Sequence, residues 1–82
     1  MNLPIKKFKS GNMEVSIWEN KKVIETDEIN YKTVSLRKFW KQGDQWHDQT
    51  ISNLKGNDLM KISLLLQKAM EELFLKEDEK NE

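Results

Sequence analysis

Between Ser35 and Ser52 the chain reads SLRKFWKQGDQWHDQTIS, which gathers two tryptophans, a phenylalanine, an arginine and two lysines around one glycine. Flat π faces beside guanidinium and ammonium groups suit a ligand that is itself flat and negatively charged. Single-stranded nucleic acid is such a ligand: its bases stack on aromatic rings for about 1–3 kcal/mol each, while Arg and Lys meet its phosphates. Trp18, Phe39 and Trp46 are expected as stacking platforms, and Lys9, Arg37, Lys38 and Lys41 as phosphate contacts. The same aromatics would also suit a hydrophobic core or a subunit interface, where large rings are common.

Other chemistries find less support. His47 and Asp48 with Ser16 or Ser52 supply the side chains of a hydrolase triad. A triad also needs an oxyanion hole and a sharp nucleophile turn, and no Gly-x-Ser-x-Gly element is present, so no enzymatic activity is expected. One histidine falls short of the three or four ligands of a metal centre. The absence of cysteine removes thiolate ligands and disulfides. Gly11, Gly43 and Gly56 lie too far apart to form a phosphate-cradling loop. No cofactor, metal or small-molecule substrate is expected.

Which side the aromatic and basic groups occupy depends on the strands that carry them. In MEVSIWEN, Met13, Val15 and Ile17 alternate with Glu14, Ser16 and Trp18, the period of two that marks a half-buried strand. Gly11-Asn12 before it reads as a turn or bulge, and PIKKFKS upstream as a separate short strand or the first half of a long bent one. NKKVIETDEIN is polar apart from Val23 and Ile24 and is expected to be a hairpin loop. YKTVSLRKFW alternates again, with Val34 and Leu36 to one side and Thr33, Ser35, Arg37 and Phe39 to the other. Gly43 supplies the positive φ of a tight hairpin turn. QWHDQTISNL then returns with Ile51 on one parity and Trp46, Asp48 and Thr50 on the other.

After Gly56 the period changes. Leu59, Ile62, Leu65, Leu66, Ala69, Met70, Leu73 and Phe74 recur at helical spacing behind Asn57 or Asp58 as N-cap, which predicts a helix from about Asp58 to Lys76. Leu64 and Leu75 sit off that stripe and could mark a second apolar edge used in dimerisation. The fold class expected is therefore α+β: an antiparallel three- to four-stranded meander sheet followed by one long C-terminal helix packed on one face. Met13, Val15, Ile17, Val34, Leu36 and Ile51 would form the sheet's inner face. Residues 1–76 would be a single domain and residues 77–82 a charged, disordered tail. Nothing else in the chain is left to cover the outer face, so Trp18, Arg37, Phe39 and Trp46 should stand on it among Ser16, Thr33, Ser35 and Thr50.

Charge and length set the remaining bounds. Fourteen basic residues balance fourteen acidic ones, which argues against binding a polyanion by bulk attraction alone. Residues 1–55 carry ten Lys/Arg against seven Asp/Glu, a net +3, and residues 56–82 carry four against seven, a net −3. A domain of 82 residues buries only about 60% of its unfolded surface, so a second subunit would help to hold it. Neither a signal peptide nor a run approaching the roughly 20 apolar residues of a membrane span is visible, and a soluble, cytoplasmic protein is expected.

Three stretches, KSGNMEVSIWEN, YKTVSLRKFWKQGDQWHDQTIS and NDLMKISLLLQKAMEEL, resemble a small prokaryotic family built on a Gly-Asn strand, a Trp-Glu-Asn strand end, a Gly-x-x-Trp turn and an Asp-Leu helix start. The order of strands followed by one long helix is also similar to the single-strand-binding transcriptional coactivators of the positive-cofactor-four type, to Whirly domains and to Pur-alpha repeats. That likeness is one of topology. It implies a homodimer formed largely through the helix side, binding single-stranded DNA or RNA on the curved sheet with little sequence preference. The chain departs from such binders in being neutral, with Glu14 and Asp48 sharing the proposed face. A protein-interaction module that uses the same sheet face or its edge is the alternative.

Overall fold

The computed structural model describes residues 3–75. Four antiparallel strands, β1 (Lys6–Ser10), β2 (Met13–Ile24), β3 (Asp27–Gln42) and β4 (Gln45–Leu54), form one sheet in the order β1-β2-β3-β4. A helix, α1 (Gly56–Met70), follows and continues into a π-helical turn, Glu71–Leu75. The architecture is α+β, a meander and then one C-terminal helix, as the change of apolar period after Gly56 predicts. The segment PIKKFKS supplies a strand of its own, paired with β2 from Lys6↔Ile17 to Ser10↔Met13. The charged tail 77–82 and the predicted helix end at Lys76 lie outside the described residues.

Both outer hairpins turn on glycine. Gly43 has φ +63 between the paired Gln42 and Gln45, which places a glycine at the first position of a two-residue loop, where the twist of the flanking strands calls for positive φ. A Cβ built there would meet no atom within 4 Å, so only backbone strain opposes a side chain. Gly43→Ala should therefore cost about 1–2 kcal/mol, the penalty of a left-handed residue, and a chemical denaturation midpoint would read it.

The middle hairpin corrects the expected loop at NKKVIETDEIN. β2 and β3 pair without interruption out to Ile24↔Asp27 and turn on Glu25 and Thr26, with Glu25 at φ 58. β1 reaches only to Ile17 and β4 only to Val34, so the far half of this hairpin projects as a two-stranded arm. Both of its faces are exposed, Val23, Ile24, Ile29 and Tyr31 included. A ribbon solvated on both sides needs no apolar alternation, so the pattern that marks a strand elsewhere is missing here.

The helix start also differs from expectation. α1 begins at Gly56, and Asp58 acts from within the first turn: its Oδ2 accepts the backbone N–H of Lys55 at 3.0 Å. A carboxylate in that position meets an unpaired amide and the positive end of the helix dipole. Between α1 and the sheet lies an apolar groove of about 460 Å³, lined by Val15, Ile17, Val34, Leu36 and Leu54 on one side and Leu59, Ile62, Leu66 and Met70 on the other. Leu54 joins this face because β4 shifts register between Leu36↔Ile51 and Val34↔Leu54 around Asn53, which takes φ 60. Met13 and Ile51 fall outside the groove, against Leu36, Lys38 and Gln49.

The expected core is thus not formed within the chain: α1 faces the sheet across the groove and is not packed tightly onto it. Among the described residues no apolar side chain is buried, and the two buried residues are polar, Ser16 and Thr33. Leu66 is 54% exposed, and Leu65, Leu73 and Phe74 are more exposed still.

Candidate nucleic-acid interface

Strand register sets the outer face row by row. Lys9 pairs with Glu14, Glu14 with Arg37, and Arg37 with Thr50. Phe39 pairs with Asp48, and Lys41 with Trp46. Because alternate residues share a face, this register gathers Lys9, Glu14, Arg37, Phe39, Trp46 and Asp48 around one open depression of about 380 Å³. The backbone N–H of Phe39 donates to the carbonyl of Asn12 at 3.0 Å, tying β3 to the turn that presents Lys9.

Within the depression the rings differ in how open they are. Phe39 is half-buried, with Lys9 Nζ at 5.2 Å and the Arg37 guanidinium at 5.3 Å from its centroid. Cations at that distance are attracted to the ring's π face. Trp46 stands 6.3 Å from Phe39 at an interplanar angle of 53° and is 67% exposed. It is the ring best placed to receive a stacking partner. Arg37 Nε donates to Asp48 Oδ2 at 3.1 Å, and Lys7 lies 3.7 Å from Glu14, so both acids lining the depression have a cation beside them.

Trp18 stands apart from that cluster. It lines a second, smaller depression with Asn20, Thr33, Ser35, Thr50 and Ser52. Its indole Nε1–H donates to Ser35 Oγ at 2.9 Å, and the Asn20 amide donates to Thr33 Oγ1 at 2.9 Å. These cross-strand bonds satisfy the polar spot where Thr33 is buried.

Lys38 requires a correction. It pairs with Met13, shares the parity of Leu36, and lies 6.0 Å from the Trp40 ring on the groove side of the sheet. The alternation that sends Arg37 and Phe39 outward necessarily sends Lys38 inward, so it cannot serve the same surface. Trp40 goes with it and stacks on His47, its register partner, at 5.7 Å and 24°. The β3–β4 hairpin therefore carries an aromatic pair on each face. Parity alone could have located the second pair, whereas the Trp18–Ser35 and Asn20–Thr33 bonds depend on register, which the sequence does not display.

Among the described residues no group of three or more His, Asp or Glu side chains is arranged to hold a metal ion, and no helix is long and apolar enough to cross a membrane. No protein-family model matches the chain, and no curated protein or solved structure is significantly similar to it.

Proposed function

We propose that the protein binds single-stranded DNA or RNA on the outer face of its sheet and catalyses no reaction. The observation that carries this reading is the depression in which an exposed Trp46 lies beside Phe39, Lys9 and Arg37, with Lys41 opposite Trp46 in register. A base laid on the indole would leave its phosphates near these cations, and ring stacking with charge contact is the combination that holds single strands. Since every base has a π face, the stacking itself selects little sequence. The role fits a protein of the cytoplasm.

Salt dependence tests the reading. A fluorescence titration with oligo-dT and oligo-U should show quenching of tryptophan emission and an affinity that falls with salt, by about 0.7 in log slope for each phosphate contacted. Arg37→Ala should lower that slope by about one contact's worth. If neither oligonucleotide binds at low salt, the aromatic face serves a protein partner or the protein's own assembly.

The open groove belongs to the same proposal. A compact monomer of 9.8 kDa exposes about 5,200 Å² by the usual scaling, whereas this chain exposes 7474 Å². Part of this extra surface belongs to the projecting arm, which is exposed on both faces, and part to the open groove. Leu66, Leu73 and Phe74 are exposed along the apolar stripe of the helix, and Leu64 and Leu75 add exposed apolar surface off it, which suits a helix enclosed on more than one side. We take the occupant to be a second copy, docked through α1, so that two groove-lining stripes close on one another and the two outer faces remain free.

A further inference from the structure

A surface that binds phosphates should not need carboxylates, yet Asp48 stands in the depression opposite Phe39 and two residues from Trp46 on the same strand face. Resting on the single-strand reading above, we infer that Asp48 reads the edge of the base stacked on Trp46 and that the base it selects is guanine.

The argument is one of donors and acceptors. An ionised carboxylate only accepts, through two oxygens with about four lone-pair sites. Arg37 Nε occupies one of these, on Oδ2, in a bond that also holds the carboxylate in place. The remaining sites face a depression whose most open ring is Trp46. Of the common bases, guanine alone offers two adjacent donors on its Watson–Crick edge, N1–H and the N2 amino group, spaced to meet the two oxygens of one carboxylate. Adenine and cytosine place a ring acceptor beside their amino group, and thymine and uracil flank their single N–H with two carbonyls. Both arrangements put an acceptor against the carboxylate. Lys41, in register with Trp46, adds a donor on the same face for guanine O6 or N7.

Glu14 does not compete for this role, because it lies on the β1 side of the depression, its side chain is mostly buried, and Lys7 is 3.7 Å away. Asp48 is about half exposed and sits on the strand that carries Trp46. Single-stranded nucleic acid is commonly read in this way, by stacking a splayed base and hydrogen-bonding its edge.

The test compares three short strands of equal length on the intact protein: oligo-dT, alternating guanine–thymine, and alternating inosine–thymine, which lacks the N2 amino group. The guanine strand should bind about tenfold tighter than oligo-dT, within the range of a good bidentate contact, and the inosine strand should lose most of that gain. Asp48→Asn should abolish the preference while binding oligo-dT as tightly as the native protein or more so. Asp44→Asn, which removes the same charge from the turn outside the depression, should keep it. Equal native affinity for all three strands would overturn the inference, and so would an Asp48→Asn protein that retained the preference or tightened on all three alike. Failure of every strand to bind the native protein would overturn the single-strand reading and this inference with it.

Discussion

Replacing Leu66 with alanine is expected to cost about 2–5 kcal/mol, the loss for a leucine removed from a closed apolar site, at concentrations where the protein is a dimer, and little where dilution leaves it a monomer. In the isolated chain Leu66 lines the groove but remains 54% exposed, so truncation there would remove little from contact. The full penalty appears only if a second copy shuts the groove. Stability linked to association depends on concentration by mass action, so thermal melts at several concentrations, with sedimentation alongside, separate the two cases. A dimer that dissociates and unfolds together on Leu66→Ala would support the assembly. A strict monomer at tens of micromolar, with a loss under about half a kcal/mol, would mean that the groove is left open.

Trp46→Ala should weaken binding to oligo-dT by about 1–3 kcal/mol, roughly 5- to 150-fold, as the loss of one stacking platform, with the melting temperature nearly unchanged. Its 67% exposure means that the ring contributes little to holding the sheet. Trp18→Ala should behave differently. The half-buried indole is bonded to Ser35, so its removal leaves a polar group beside buried Thr33 without its cover and should lower stability together with any binding. Affinity and melting temperature measured on both mutants keep the two roles apart. A Trp46→Ala protein that melts far below the native one would make that ring structural.

Much of this arrangement is legible in the sequence, and the rest is hidden for identifiable reasons. Alternation in MEVSIWEN and YKTVSLRKFW puts Val15, Ile17, Val34 and Leu36 on the groove side, and helical spacing adds Ile62, Leu66 and Met70 across from them. Parity likewise separates Arg37 and Phe39 from Lys38 and Trp40, and grouping Lys38 with Arg37 neglects it. The projecting arm from Lys21 to Tyr31 cannot be read as strand, because a ribbon wet on both faces carries no apolar period. Leu54 reaches the groove only through the register shift at Asn53, a backbone feature that no residue pattern announces. The separation of Trp18 from Trp46 is a matter of distance along the strands, on which alternation is silent. The open groove, too, escapes a reading of one chain, since the helical stripe looks the same whether the sheet or a second subunit covers it.

The three tryptophans occupy three different settings, which permits one direct measurement. Trp46 stands open in the outer depression, Trp18 is bonded to Ser35 in the neighbouring one, and Trp40 is stacked on His47 on the groove side. In a nitrogen–proton NMR titration of the labelled protein with oligo-dT, the Trp46 indole resonance should move most, Trp18 less, and Trp40 should stay in place. Saturable shifts confined to Trp40, or three indole resonances that stay fixed at low salt with oligonucleotide in excess, would contradict single-strand binding on the outer face.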